Sequence, residues 1–234
     1  MVFEMDEIVR YSQTDGQLRL TVPALLDFFQ DAATFQAEEA GVGVDVLNAH
    51  GLGWFLVSWN VEINRLPRHA EKIVVGTFPY RFNSRFGNRN CYIKTPDGEY
   101  LAKADSIWAM MDKKQGRIVP IPDFVGKAYT VEDPLPMEYA GRKIALPEAM
   151  EDGEPIPVIS EHIDFHGHVN NSKYLAMVTD FMPKGELSGF RVEYKGQTRR
   201  GDILVPRFAT EGNRTFVSLC VGEEARTNIE FTTK

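Results

Sequence analysis

Residues 162–171 read His-Ile-Asp-Phe-His-Gly-His-Val-Asn-Asn, and this run gathers three of the chain's five histidines around one carboxylate, Asp164. Residues 172–182 continue as Ser-Lys-Tyr-Leu-Ala-Met-Val-Thr-Asp-Phe-Met, with Tyr174, Leu175, Val178 and Phe181 or Met182 at helical spacing. The pattern predicts a helix that Asn170 or Asn171 caps and that Pro183 and Gly185 stop. An Asp and two His therefore sit on the strand or loop that feeds a helix N-terminus. Free backbone N–H groups and a partial positive charge there favour a reaction that develops negative charge on oxygen. The plainer alternative makes His166 and His168 loop histidines and Asp164 a cap. The crowding of three titratable groups beside Gly167 favours chemistry.

The whole chain has 234 residues, 43% of them hydrophobic and 25% charged, enough to bury a core. Its length suits one large domain or two small ones. A formal net charge of −7 argues against general nucleic-acid binding and against an anionic membrane surface. No apolar run approaches the roughly 20 residues of a membrane span. Met1 to Glu7 has neither the basic start nor the apolar core of a secretory signal. Cys91 and Cys220 lie in strand-like segments without metal-ligand spacing. Packed thiols in a reducing cytoplasm are the expectation, with no cofactor and no metal.

Upstream, Thr21-Val22-Pro23 opens a helix, with Thr21 as cap and Pro23 in the first turn, where its missing N–H costs nothing. Leu25, Leu26, Phe29, Ala32, Ala33, Gln36 and Ala40 line one face, and Gly41 ends it. That face is too apolar for solvent and calls for a covering sheet. Strand-like segments follow at 54–65, 72–83, 88–95 and 99–112, the last two forming a hairpin around Pro96-Asp97-Gly98. Seven of the thirteen prolines fall between Pro120 and Pro157, which reads as an extended linker. Strands resume at Val158 and, past the histidine-rich run and its helix, continue to the end.

The second half echoes the first. Val61-Glu62 returns 131 positions on as Val192-Glu193, Ala70-Glu71 as Gly201-Asp202 and Ile73-Val74 as Leu204-Val205. Gly87-Asn88-Arg89 recurs as Gly212-Asn213-Arg214, and Ala102–Asp105 resembles Ala225–Asn228. A repeat of this length signals a duplicated domain. Each unit is predicted to be one long helix followed by an antiparallel sheet, an α+β layout. Residues 1–118 form the first, 119–156 the linker and 157–234 the second.

A helix covered by an antiparallel sheet, twice in one chain, resembles a tandem (double) hotdog fold. The run His168-Val169-Asn170-Asn171 with Lys173-Tyr174, preceded by an Asp, resembles the acyl-acyl-carrier-protein thioesterase family of plants and bacteria. Ala37-Glu38-Glu39-Ala40-Gly41, then Trp54–Ser58 and Val61-Glu62-Ile63, are similar to that family's opening domain. The resemblance covers nearly the whole chain. It implies a hydrolase that releases free fatty acid from acyl-acyl carrier protein and terminates fatty acid synthesis. The alternatives are an acyl-CoA thioesterase and a non-catalytic hotdog module that binds acyl thioesters. The family's site motif is D-x-N-x-H: Asp164 and His168 match its ends, and His166 stands at the Asn. Glu193-Tyr194-Lys195-Gly196-Gln197-Thr198 resembles E-Y-x-x-E-C, so Gln197 stands at the catalytic Glu and Thr198 at the Cys of plant members. A Gln orients water but takes no proton, which leaves Asp164 or a histidine as the base.

The resemblance thus implies a catalytic set of Asp164, His166, His168 and Gln197. Asp164 activates water or attacks the thioester itself; His168 orients Asp164 or donates to the oxyanion; His166 donates in place of the Asn; Gln197 positions water. Backbone N–H groups around Gly167 to Val169 are expected to hold the thioester oxygen, with Gly167 admitting substrate and Asn170 and Asn171 in the same substrate-contacting turn. The family's opening domain holds the acyl chain, which implicates Phe29, Trp54, Phe55 and Trp59; plain core is the competing reading of each. Arg65, Arg68, Arg199 and Arg200 form two basic spots in an acidic protein, by default solvated surface, with a dock for the acidic carrier protein as the runner-up reading. The quaternary state stays open, a homodimer among the expectations. The first half has Leu18-Arg19-Leu20-Thr21 ahead of its helix and no Asp-His-His cluster, so a single chemical site is expected.

Overall fold

The computed structural model describes residues 1–234 throughout. The chain divides into two compact units, one made of residues 1–57 and 62–139, the other of 140–234 with 58–61.

In chain order the first unit contains β1 (Phe3–Ile8), α1 (Val22–Glu39), α2 (Val44–Ala49), β2 (Leu52–Ile63), β3 (Lys72–Phe82), β4 (Phe86–Lys94), β5 (Tyr100–Asp112), β6 (Arg117–Ile118) and α3 (Asp123–Gly126). A 3-10 turn, Tyr11–Gln13, precedes α1. The strands run in the order β1-β3-β4-β5-β2, with β6 on β5. Thr21 caps α1 by accepting the Ala24 N–H at 3.3 Å, and Pro23 lies in the first turn as its sequence requires. Leu25, Leu26, Phe29 and Ala32 are fully buried on the face that packs against β1 and β3. Each of the three large side chains contributes roughly 1.5–3 kcal/mol on leaving water.

The proline-rich stretch is less of a free linker than its composition suggests. Val125 on α3 and Leu135 are buried, and Leu135 packs on Phe78 and Tyr92. Asn90 holds residues 132–139 to the outer face of the sheet: its Oδ1 accepts from the Leu135 N–H at 3.0 Å and the Tyr139 hydroxyl at 2.9 Å. Lys103 donates to the Pro136 carbonyl at 2.8 Å. Prolines cannot donate, so side chains of the sheet do the pairing.

The second unit contains β7 (Glu151–Asp152), β8 (Ile156–Pro157), α4 (Asn171–Met177), β9 (Leu187–Tyr194), β10 (Ile203–Glu211), β11 (Arg214–Val221) and β12 (Glu224–Thr233). Its strand order, β9-β12-β11-β10-β7, repeats that of the first unit read from β2 to β1. Val61-Glu62 on β2 and Val192-Glu193 on β9 occupy corresponding places. The chain is a tandem hotdog of the α+β class. Two details depart from expectation. The helix of the second unit has seven residues, not the span 172–182: Thr179 turns its hydroxyl back on the Leu175 and Ala176 carbonyls, and Met182 is extended ahead of Pro183. The echo of Ala102 is Thr227, two residues past Ala225. Asn64 N–H donates to Leu101 O and Lys195 N–H to Arg226 O, which fixes Leu101 opposite Arg226 in the repeat. The turn at Gly222-Glu223, between partners Val221 and Glu224, is one residue shorter than Pro96-Asp97-Gly98.

Candidate active site

Residues 162–170 form a closed loop between a 3-10 turn, Ser160–His162, and α4. Asp164 N–H donates to His168 O at 2.8 Å and Gly167 N–H to Asp164 O at 3.0 Å. The Asp164 Oδ1 accepts from the N–H groups of His166 at 2.8 Å and His168 at 3.3 Å. Val169 N–H donates to Thr198 O and Asn170 N–H to His162 O, both at 2.9 Å. Asn170 caps α4, its Oδ1 accepting the Ser172 N–H at 3.1 Å. Asp164 thus closes an Asx-type turn with one carboxylate oxygen. The expected oxyanion donors are corrected here. The N–H groups of Gly167, His168 and Val169 are all spent within the protein, because so tight a loop needs its own amides. The Asp164 Oδ2 accepts no hydrogen bond from the chain, and the edge of Gly167 is open. Gly167 has φ +78, and a Cβ there would meet nothing within 4 Å.

His168 Nδ1 is buried and has no hydrogen-bond partner. Burial, and then the positive charge of Arg199, hold its pKa below the ordinary histidine value, with Asp164 pulling the other way. His168 is therefore neutral at neutral pH, with one nitrogen a donor and the other an acceptor. The His166 ring lies on exposed Phe165, centroids 3.8 Å apart. His162 is occupied with the turn: its Nδ1 faces the Ile159 N–H at 3.2 Å. Gln197 is exposed one residue before Thr198, which is fully buried.

The first unit contains the same loop. Asp15 N–H donates to Arg19 O and Leu18 N–H to Asp15 O. Asp15 Oδ1 accepts from the N–H groups of Gln17 at 2.8 Å and Arg19 at 2.9 Å. Leu20 N–H reaches Pro67 O, and Thr21 N–H reaches Gln13 O. Leu18, at φ +59, stands where Gly167 does. So a side chain is tolerated at this backbone, and its absence at 167 leaves room beside Asp164. The first half lacks the Asp-His-His cluster, as its sequence indicates, yet it keeps the loop itself: the backbone is duplicated and the side-chain set is not. Arg19 closes the Asp15 carboxylate, its Nε and Nη2 lying 3.1 and 3.0 Å from Oδ2. Burial raises the Asp15 pKa, but the N–H groups of Arg19 and Gln17 and then the Arg19 guanidinium outweigh it and hold the carboxyl below its usual range. No cation closes Asp164. The sequence signal is an Asp followed by Gln or His at the second position, Arg or His at the fourth, an aliphatic residue and a cap.

Residues 1–129 match the family model of the acyl-ACP thioesterase N-terminal domain, and residues 148–221 that of the C-terminal domain. This chain belongs to the acyl-ACP thioesterase family. A chloroplastic acyl-[acyl-carrier-protein] hydrolase of Cuphea viscosissima is 26% identical over 79% of the chain and 49% of its own length. A chloroplastic palmitoyl-acyl carrier protein thioesterase of Cuphea hookeriana is 24% identical over 87% of the chain and 54% of its own. The chain spans about half the length of these plant relatives. A solved acyl-ACP thioesterase from Bacteroides thetaiotaomicron shares the fold with a TM-score of 0.89 at 22% identity, over 99% of this chain and 97% of that one. The 12:0-ACP thioesterase of Umbellularia californica gives 0.86 at 19%, over 99% and 96%.

The other residues that the family resemblance singles out are dispersed. Phe29 on α1 and Trp59 on β2 are sealed in the core. Trp54 and Phe55 are half-buried on β2, Trp54 with its ring 6.4 Å from Phe82. Arg65 is committed to Glu71 through two bonds of 2.8 and 3.1 Å, and Arg68 donates to Gln17 O at 3.2 Å. Arg199 and Arg200 are exposed and form no ion pair. No group of three His, Cys, Asp or Glu side chains is placed to hold a metal, and no helix is long and apolar enough to cross a membrane. Cys91 and Cys220 are free and buried, and burial pushes the Cys91 thiol up to about 11.

Proposed function

We propose that this chain hydrolyses acyl thioesters, releasing free fatty acid from acyl carrier protein and so ending fatty acid synthesis. The contrast between its two loops carries the reading. One backbone device is used twice. In the first unit Arg19 neutralises the aspartate, and in the second His168 replaces Arg19 and the aspartate keeps an oxygen that the chain does not bind. A carboxylate in that condition is a base or a nucleophile.

In the direct route, Asp164 Oδ2 takes a proton from water as the water oxygen bonds to the thioester carbon. The C–S bond then breaks, its electron pair leaves on sulfur, and the sulfur takes the proton to become a free thiol. In the covalent route, Asp164 attacks the carbonyl carbon, and the C–S bond breaks with its electron pair leaving on sulfur. Water then opens the resulting anhydride to free acid and carboxylate, giving up the proton that makes the thiolate a thiol. Neutral His168 supplies an N–H donor to the oxyanion, His166 a second, and Gln197 holds the water. Thr198 is too deeply buried to be a nucleophile. Arg199 and Arg200 draw the acidic carrier; of the first unit's aromatic residues, the half-buried Trp54 and Phe55 receive the acyl chain. The test is purified protein with a panel of acyl-carrier-protein and acyl-CoA thioesters, scored for free thiol. Release from carrier-protein thioesters is the expected result. Binding without any thiol release would make the chain a binding module.

Two variants sharpen the reading. Gln197→Glu restores the family's carboxylate, and a raised rate or a shifted pH optimum is expected, since a second carboxyl near Asp164 raises one of the two pKa values. An unchanged pH–rate profile would remove Gln197 from the site. Cys91→Ser and Cys220→Ser are expected to leave turnover within about twofold, because both thiols are buried away from the loop and burial holds the Cys91 thiol protonated. Loss of turnover in a folded Ser variant would reinstate a cysteine mechanism.

A further inference from the structure

Behind the candidate loop lies a buried polar corner that the fold does not require. Tyr174 is the fourth residue of α4, fully buried, and its hydroxyl lies against those of Thr198 and Thr227, with Arg226 close by. Burial raises the Tyr174 pKa, with the two threonine hydroxyls and Arg226 pulling the other way, and neither threonine oxygen has a hydrogen-bond partner. Arg226 Nε is likewise buried and unpaired, as is His168 Nδ1. Gly196 leaves room for the guanidinium: a Cβ there would meet Arg226 Nη1 at 3.0 Å. Unsatisfied buried polar atoms cost stability, and such a concentration calls for a reason beyond folding.

The first unit is the internal control. Val169 N–H to Thr198 O corresponds to Leu20 N–H to Pro67 O, and Lys195 N–H to Arg226 O corresponds to Asn64 N–H to Leu101 O. Leu25 is the fourth residue of α1. The same corner is therefore built from Leu25, Pro67, Leu101 and Ala102, all buried. An apolar set closes it without an unpaired polar atom. The polar set of the second unit must serve the segment it touches. Thr198 is that contact: its carbonyl holds Val169 in the loop, and its neighbours are Gln197 and Arg199, the latter acting on His168.

We propose that Tyr174 is a positioning residue, whose hydroxyl, set between Thr198 and Thr227, fixes residues 197–199 against the loop and so sets His168 and Gln197 for reaction. This rests on the thioesterase reading of the loop. Tyr174→Phe removes one oxygen and Thr227→Ala installs the first unit's residue. Each is expected to lower kcat about 10- to 100-fold, as small misplacements of reacting groups do, with KM within about twofold. Unfolding temperature is expected to hold or rise, since the apolar corner is the cheaper one. The His168 imidazole, followed by NMR titration, is expected to move up towards the ordinary histidine value as Arg199 loosens; Asp164 on its own loop is the opposing charge. Thr198→Ser, which keeps the hydroxyl, is expected to retain wild-type behaviour. Unchanged kcat with an unchanged His168 midpoint in Tyr174→Phe would overturn the proposal. So would a rate loss that only follows a fall in unfolding temperature. If the wild-type protein releases no thiol from any thioester, the functional reading fails, and the His168 titration by itself decides whether Tyr174 positions the loop.

Discussion

Asp164→Asn is expected to slow thioester hydrolysis about 10²–10⁴-fold, the range of a lost general base or nucleophile. At about 1.4 kcal/mol per tenfold this removes roughly 3–5 kcal/mol of transition-state stabilisation. The turn is kept, because an Asn oxygen accepts the His166 and His168 N–H groups as the carboxylate Oδ1 does. The unfolding midpoint is therefore expected to stay near that of the wild type. Asp15→Asn is the matched control. It makes the same chemical change in the same backbone, and it loosens only the half-exposed Arg19 pair, worth less than about 1 kcal/mol. Turnover of Asp15→Asn is expected at the wild-type level. Equal rates for Asp164→Asn and wild type would sink the mechanism, and equal losses in both variants would mean that the loops act through folding.

Asp105→Asn is expected to stabilise the protein at neutral pH and not at acidic pH. Asp105 on β5 is buried, and burial pushes its pKa up to about 6 against the opposing pull of the Tyr80 hydroxyl, Arg81 and the Ser106 N–H. Tyr80 donates to Oδ1 at 2.9 Å, and Tyr139, 5.4 Å from the Tyr80 ring, covers the site. The corresponding acid in the second unit is Glu230, where Arg191 and Arg214 lie 2.9 and 3.4 Å from its two oxygens. Asp105 has no such pair. The folded state holds a proton that the unfolded chain releases near pH 4, so stability falls as pH rises from about 4 to about 6 and stays low above. Two pK units correspond to about 3 kcal/mol, and the Asn amide, itself needing partners, recovers about 1–3 kcal/mol of that. Urea midpoints at pH 4.5 and 7.5 decide it: the variant's advantage is expected at 7.5 alone. An advantage that does not vary with pH would show that Asp105 does not titrate in this range.

Much of the architecture was legible. The apolar face of α1, the Thr21 cap and the Pro96–Gly98 turn act locally, and local rules read them correctly. The strand repeat at offset 131 showed because Val-Glu pairs survive in both halves. The loop repeat was hidden, since it is carried by backbone hydrogen bonds and only Asp15 and Asp164 are shared in identity. Tyr174 read as one more residue in the apolar stripe of a helix; nothing in its spacing told that it is buried beside the unpaired hydroxyls of Thr198 and Thr227, from distant segments. The amides of Gly167 to Val169 suited an oxyanion by position in the sequence, but their partners, Asp164 and Thr198, claim them first. Asp105 looked like an ordinary strand residue, because what distinguishes it from Glu230 is the lack of two arginines that approach only in three dimensions.

The twinned loops make this chain a source of spare parts for itself. Residues 15–21 are already proven in the backbone that residues 164–170 adopt, so grafting the first sequence onto the second site yields a silent version with native contours. Arg19 would arrive with its aspartate and lock it. Such a twin keeps the surface around Arg199 and Arg200 intact, so under the proposed function it is expected to hold an acylated carrier protein without cleaving it.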